Sequence, residues 1–471
     1  MAAASPEAAT AGARVLAAGG SAVDAAIAAQ AVIAVVLPQA AGLGGDLLAL
    51  VHHHGAVEAV NGTGRSPHLL AGPPTSTGGL SVTVPGLVDG WLVLHQRWGR
   101  LPLPSVLAPA IELAEAGIEV GADLRASVEA QLPRLYAGGA AEWELLTGLA
   151  ADPTAGWRQP ALAEVLAGIA TEGRAGFYSG RVAAAIVDAV RRQGGVLDHR
   201  DLTEHDTMTP APVAQAWEGG TAYVQPPASQ GVLLAMALRK VAALRAEGVP
   251  IDDHALIEIV GAAFAHRSNC GIGADLLGVP LEIDLHRASG RSGPRAYLHT
   301  AGVAVADADG QVVSSLISVF DDFGSGVFVP ELGAVLNNRA AGFTDGANSP
   351  APAKRPVHTL APALVVGDGG VTALATPGAD GQIQTLLQVL TAARERELAD
   401  AVTAPRWRSE DGRLLIENDH PAAEDLAARG HRIEARNPGE DVFGAVVAAG
   451  FAGQPFAVAD WRRQTHCAGV P

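Results

Sequence analysis

Three consecutive histidines, His52, His53 and His54, are the first residues along the chain whose type could do chemistry, and metal binding is the chemistry they suggest. In a strand, adjacent side chains point to opposite faces, so at most two of the three could share one ion, and a solvated strand end reads the same pattern. No HExxH, paired CxxC or GxSxG occurs, and Gly324-Ser325-Gly326 lacks the spacing of a nucleophile elbow. Gly42-Leu43-Gly44-Gly45 is dense in glycine but is not GxGxxG, and we read it as a tight turn from helix to strand rather than a nucleotide loop. Neither lysine, Lys240 or Lys354, follows a glycine as a P-loop requires, and Cys270 and Cys467 are too few for a disulfide framework or a zinc cluster. These residue types call for no cofactor and no metal.

The elements that must position any active residue are legible in part. Ser5-Pro6-Glu7 is a helix start, because serine caps and proline at the first position forfeits no bonded N–H; Gly19-Gly20 ends that helix. Ser21 and Asp24 form a capping-box pair opening a nearly all-apolar helix that runs to Leu37 and stops at Pro38. A strand is expected over 47–52. The stretch 101–278 reads as mostly helical scaffold, with apolar residues at helical spacing over 106–113, 182–190 and 233–244. From Thr300 the texture becomes that of strands: 300–307, a hairpin signal at Asp309-Gly310, then 311–319, 363–366 and 371–375. An amphipathic helix follows Pro377-Gly378, marked by Ile383, Leu386, Leu387 and Leu390. Helices first and a covered sheet second give an α+β layered architecture.

Composition bounds the function classes. With 48% apolar and 17% charged residues over 471 positions, the chain is globular and well buried. A formal charge of −17 without a basic block repels phosphate backbones and anionic lipid, so neither nucleic acid nor membrane is an expected partner. The first basic residue is Arg14 and the longest apolar stretch, 25–37, is too short to span a bilayer, which leads us to expect a cytoplasmic protein with no signal peptide.

A series of phrases resembles one family in order and spacing. Ala18-Gly19-Gly20-Ser21-Ala22-Val23-Asp24-Ala25-Ala26 is similar to the opening of gamma-glutamyltransferases, and Val84-Pro85-Gly86-Leu87-Val88 and the 107–114 segment resemble later phrases. Val305-Ala306-Asp307-Ala308-Asp309-Gly310, Phe323-Gly324-Ser325-Gly326, Leu336-Asn337-Asn338 and Lys354-Arg355-Pro356 continue the match. The resemblance implies a four-layer αββα sandwich of the Ntn-hydrolase type, made as a precursor that cuts itself between His299 and Thr300. It implies a large-subunit portion, 1–299, and a small-subunit portion, 300–471, that stay together as a heterodimer, with further oligomerisation left open. On the residues alone Thr300 is a strand threonine. The resemblance makes it the nucleophile, places an orienting hydroxyl at Ser318, and maps the oxyanion site to the backbone of Gly378 and Ala379. One residue then supplies both nucleophile and base, since a free α-amine titrates at about 7.7–8.0.

The glutamyl-reading positions depart from the family. Its amino-binding acid maps to Gly342, the neighbouring glutamine to Arg339, the paired serines to His358 and Thr359, and its carboxylate-binding arginine to Thr63, with Arg65 two residues away. Gamma-glutamyl amides such as glutathione are the default small-molecule donors. The alternatives are a variant acting on another acyl group, as oxamate amidohydrolases, cephalosporin acylases and some C–C hydrolases do, and a non-catalytic binding protein of the same fold. Arg65, Arg339 and Arg355, if they face the pocket, favour an anionic acyl group. The hairpin decides whether Ser318 can serve Thr300. A two-residue turn pairs Thr300 with Val319, whereas a three-residue loop, 308–310, pairs Asp307 with Gln311 and Thr300 with Ser318; we expect the latter.

Overall fold

Serine and proline at the start of the first helix act as the sequence suggests: Ser5 accepts the Ala8 N–H at 3.2 Å, with proline in the first turn of α1 (Pro6–Ala17). The capping box of α2 (Ala22–Val36) closes in both directions between Ser21 and Asp24, and nearly every side chain of that helix is buried. Asp24 does more than cap, since the same carboxylate accepts the N–H groups of Arg100 and Leu101 at 2.8 and 3.1 Å. These contacts are seen in a computed structural model, which describes residues 1–152, 156–291 and 300–470. The expected cleavage junction at His299 lies outside the described residues.

Twelve strands build two facing antiparallel sheets. In chain order they are β1 (Ala2–Ala3), β2 (Asp46–His53), β3 (Ala56–Gly62), β4 (Val213–Trp217), β5 (Gly220–Val224), β6 (Ala301–Ala306), β7 (Val312–Ser318), β8 (Ala363–Gly367), β9 (Gly370–Ala375), β10 (Val447–Phe451), β11 (Pro455–Ala459) and β12 (His466–Cys467). The first sheet runs β12-β1-β6-β7-β2-β3 and the second β11-β10-β9-β8-β5-β4. Alternation along the strands sorts their side chains: Ala304, Ala306, Leu316, Leu48 and Leu50 meet Ala373, Ala375 and Val447 between the sheets. The other face of the first sheet packs on α2, with Val303, Val305 and Ile317 against Ile27 and its neighbours. The outer face of the second sheet is covered by α3 (Gly231–Ala246), α4 (Asp253–Phe264) and α5 (Gln382–Ala392). This is the αββα sandwich that the resemblance implies.

Two details differ from expectation. The stretch 101–278 is mostly helical, as expected, but β4 and β5 form a hairpin inside it that extends the second sheet beside β8. The alternation of Val213 to Trp217 and the Glu218-Gly219 turn carry that signal, which the helical texture on either side obscures. The strand expected to start at Leu47 starts at Asp46. The glycine-dense segment before it is a close approach: a Cβ on Gly44 would lie 2.2 Å from the Val335 carbonyl oxygen, and one on Gly45 2.5 Å from that of Ser318. That is the tight turn, and those two positions exclude any side chain.

Among the described residues no helix is long and apolar enough to cross a membrane. Replacing Asp24 by alanine strands three N–H groups that now share its carboxylate, so Asp24→Ala is expected to lower unfolding stability by about 3 kcal/mol, against about 1 kcal/mol for Ser21→Ala. Denaturant midpoints of the two variants beside the parent check the ratio.

Candidate active site

The β6–β7 hairpin has the three-residue loop. Asp307 N–H donates to the Gln311 carbonyl at 3.1 Å, Gly310 sits at φ 79°, and pairs run from Ala306 with Val312 to Ala301 with Ile317. One step further along this register sets Thr300 opposite Ser318. Ser318 is itself paired with Asp46 on β2, and the β2–β3 register, Leu47 with Gly62, continues to Asp46 opposite Thr63. Thr300, Ser318, Asp46 and Thr63 therefore form a row across four strands, all on the face that looks at the second sheet, with neighbours about 5 Å apart. All four are buried, Thr300 at 5% exposure.

Across from this row, β9 ends at Ala375 and the chain turns through Thr376-Pro377-Gly378 into a short 3-10 turn, Ala379–Gly381, that leads directly into α5. Gly378 has φ 119° and Ala379 has φ 48°, a left-handed conformation that costs a non-glycine residue about 1 kcal/mol. The Ala379 carbonyl accepts from Gln230 Nε2 at 2.9 Å, which holds the peptide in place. Among the described residues neither the Gly378 nor the Ala379 amide donates a hydrogen bond. Free amides at a helix start suit a developing oxyanion.

Beside the row lies a buried polar cluster. Arg339 Nε donates to Asp46 Oδ2 at 3.1 Å, His358 Nε2 reaches the same oxygen at 3.2 Å, and Asp46 Oδ1 accepts the Gly64 N–H at 3.1 Å. Arg339 Nη1 donates to Thr359 Oγ1 at 3.4 Å, and its guanidinium lies 4.2 Å from the centre of the Phe320 ring. His358 Nδ1 accepts the Leu360 N–H at 3.1 Å, so its proton sits on Nε2 and the ring is neutral. Burial, then the charge of Arg339, pushes its pKa down to about 4. Burial alone would raise the Asp46 pKa, but the hydrogen bond from His358 and the charge of Arg339 outweigh it and hold the carboxylate below its usual range. Arg339 Nη2 is buried and has no hydrogen-bond partner among the described residues. Gly342 ends the same 3-10 turn as Arg339, and a Cβ there would stand 3.8 Å from Phe320 Cζ.

The structure thus brings Arg339, His358 and Thr359 together next to the row, around an acid that sequence reasoning missed. The signal was present: Asp46 is the one charge in Asp46-Leu47-Leu48-Ala49-Leu50-Val51, and a buried charge demands a partner. Arg65 goes elsewhere, pairing with Asp206 near the surface, and Arg355 binds the Thr63 carbonyl at 2.8 Å and the Asp206 carbonyl at 2.6 Å. The expectation of three arginines turned to one anion is therefore corrected: local acceptors claim two of them, and Asp46 claims one edge of the third. The three histidines sit at the end of β2, where the His53 and His54 rings lie tilted against each other with centroids 3.9 Å apart, as at a solvated strand end. On the far side of Thr300, toward β1, a cleft of about 440 Å³ opens, walled by Thr300, Gly302, Pro377 and Val447.

A four-layer αββα sandwich built on two facing antiparallel sheets is the architecture of N-terminal-nucleophile hydrolases. The gamma-glutamyltranspeptidase family model matches residues 8–282 and 283–470, and the chain belongs to that family. It is 33% identical over 432 residues to the glutathione hydrolase-like YwrD proenzyme of Bacillus subtilis (strain 168), covering 84% of this chain and 82% of that protein. It is 32% identical to the oxamate amidohydrolase proenzyme of Klebsiella pneumoniae over 83% of this chain and 81% of that one. The cephalosporin acylase from Bacillus halodurans superposes with a TM-score of 0.88 at 27% identity, over 100% of this chain and 95% of the other. The chain is thus a hydrolase or acylase of the gamma-glutamyltranspeptidase family.

Because His358 is neutral when folded and titrates at about 4 instead of 6.5, the unfolded chain binds more protons between those values. Folded stability is therefore expected to fall as the pH drops from 6.5 toward 4, by about 3 kcal/mol from this residue. His205, also lowered to about 4 by burial, acts in the same direction. His358→Gln keeps an N–H donor for Asp46 but cannot titrate, so its stability against pH should be flatter over this range than the parent's, as read from unfolding free energies at matched pH.

Proposed function

We propose that the chain is a self-processing amidohydrolase with Thr300 as its nucleophile, acting on acyl groups that carry a distal carboxylate and no α-amino group. The observation that carries this reading is the row that sets Thr300 opposite Ser318, beside a cleft that Thr300 shares with Pro377, the residue that precedes the free amides of Gly378 and Ala379. In the precursor, Thr300 Oγ attacks the His299 carbonyl carbon and the peptide bond to the Thr300 nitrogen breaks. Water then hydrolyses the resulting ester, leaving a carboxylate on His299 and an α-amine on Thr300. At pH 7 roughly a sixth of such amines are neutral and can take the hydroxyl proton as Thr300 attacks a substrate amide. The proton passes to the departing amine, the Gly378 and Ala379 amides hold the oxyanion, and water releases the acid from the acyl-Thr300 ester. Strands from both sides of the junction are interleaved in the first sheet, β1, β2 and β3 with β6, β7 and β12, so the two fragments remain one body as a heterodimer.

The acyl preference follows from charge. A substrate ammonium needs an acceptor carboxylate, since an unpaired buried charge costs several kcal/mol. Gly342 offers none, and Asp46 is already neutralised by Arg339 and bonded on both oxygens. The unused Nη2 of Arg339 instead presents a donor to an acyl carboxylate oxygen. Similarity to an oxamate amidohydrolase and to a cephalosporin acylase is in keeping with this reading, and the glutathione hydrolase-like relative keeps gamma-glutamyl donors as the second one.

On a denaturing gel the purified chain is expected to give pieces of 299 and 172 residues, which sum to the 471 of the whole, while Thr300→Ala stays intact. A wild-type chain that remains whole after long incubation refutes the nucleophile assignment. For the donor, glutaryl-p-nitroanilide should show at least about tenfold higher kcat/KM than its gamma-glutamyl analogue, about 1.4 kcal/mol of transition-state discrimination. The reverse order restores ordinary gamma-glutamyl chemistry.

A further inference from the structure

The cleft on the β1 side of Thr300 has an electrostatic character opposite to that of the Asp46 cluster. The acyl-side cluster begins at Ser318 on β7, one neighbour of β6; this cleft follows β1, the other neighbour. With an acyl group held toward β7, the amine half of the amide lies in the cleft. Val36, Leu37, Leu113, Ile118 and Leu124 give it apolar walls. Its exposed rim carries four carboxylates, Glu7, Glu119, Asp123 and Asp441, and among the described residues Arg463 is the one basic residue lining it. Arg463 is paired with Asp441 at 3.4 Å and its charge also reaches Asp123, whose Oδ2 accepts from Gln464 Nε2 at 3.3 Å; Glu7 and Glu119 have no basic residue beside them in the described lining.

A second feature points to a ligand independently of the rim. Gln39 lines the same cleft at 4% exposure, and its Oε1 has no hydrogen-bond partner among the described residues. A buried acceptor left unpaired is unfavourable, and a donor N–H entering the cleft would satisfy it. Apolar walls, an unpaired acceptor and an acidic rim together describe an amine with a hydrocarbon stem and a second, distal ammonium.

We propose that this cleft is the leaving-group site and that it selects amines bearing a second positive charge, such as lysine-like amines and diamines, over neutral or anionic ones. The proposal rests on Thr300 being the nucleophile, and it adds the amine half of the substrate to the acyl half argued above. Anionic leaving groups meet an acidic rim in which Glu7 and Glu119 have no basic partner among the described lining residues, and are disfavoured.

Binding of free amines needs no acyl chemistry and separates this proposal from the acyl reading. Calorimetry on the processed wild-type protein would compare lysinamide with norleucinamide, its isostere without the distal ammonium. Lysinamide is expected to bind about three- to tenfold more tightly at low salt, with the advantage shrinking at 0.5 M NaCl as the exposed rim is screened. The double substitution Glu7→Gln, Glu119→Gln should bring the two ligands to equal affinity. Equal affinities in the wild-type protein, or a lysinamide advantage that survives the double substitution, overturn the proposal. Failure of glutaryl amides to turn over while the lysinamide preference persists would instead fault the acyl reading alone.

Discussion

Everything in the candidate site hangs on the register of one hairpin. A slip of one residue between β6 and β7 would move every side chain of the shifted strand to the other face, and Thr300 would point into the α2 layer instead of the space between the sheets. The register is locked at the tip. Asp307 Oδ1 accepts the N–H groups of Asp309 and Gln311, both at 3.0 Å, which closes the three-residue loop. Asp307 Oδ2 and Gln311 Oε1 then accept the first two N–H groups of α2, Ala22 at 3.1 Å and Val23 at 3.0 Å. With Ser21 accepting from Asp24, the orphan donors at the helix start are met by the hairpin and the cap together. Further along, Gln30 of α2 donates to Ser315 of β7 at 2.6 Å and accepts from Trp91. The most buried helix and the strand pair that carries Thr300 thus fix each other at two points.

This division explains what was legible from sequence. Features made by neighbours in the chain could be read: the Ser5 and Ser21 caps, the stop at Pro38, the loop that places Gly310 at positive φ. The register that pairs Thr300 with Ser318 follows from that loop alone. Features made by distant partners could not. Asp46 meets Arg339 and His358, 293 and 312 positions away, and nothing local to any of the three says which charge will find which. The same holds for Arg65 and Arg355, whose common partner Asp206 lies in a segment read as helical scaffold. The β4–β5 hairpin was hidden for a related reason: it is a single local turn whose place in the second sheet depends on β8, some 140 residues on.

The two sheets approach closely enough that small residues are required at the centre. A Cβ on Gly302 would stand 3.1 Å from the Ala375 Cβ and 3.2 Å from a Val447 methyl, so a larger residue would push the sheets apart. Gly302 is two residues from Thr300 on the same face, and Ala375 two residues from Pro377. The spacing that packs the inter-sheet core therefore also sets the distance between the threonine hydroxyl and the free amides of the turn after β9. Packing and site geometry are one constraint, and this is why the site can sit at strand ends, where the backbone leaves the ladder, without losing its position.

A buried ion pair such as Asp46–Arg339 is a poor device for stability, because desolvating both groups offsets most of their attraction. Its worth here is better sought in charge balance. With His358 neutral, the pair sums to no net charge, so the acyl side of Thr300 neither repels an anion nor offers a free carboxylate to a cation, while one guanidinium N–H stays unused. On the amine side the rim is acidic and exposed. On the function proposed above, Thr300 stands between these two environments, and an amide oriented with its carboxylate toward Arg339 and its cationic amine toward the rim would gain on both sides. The reversed orientation would bring a carboxylate to the acids and an ammonium to the guanidinium. On that reading the electrostatic contrast across Thr300 would set the direction of the scissile bond as well as the kind of substrate that can bridge it.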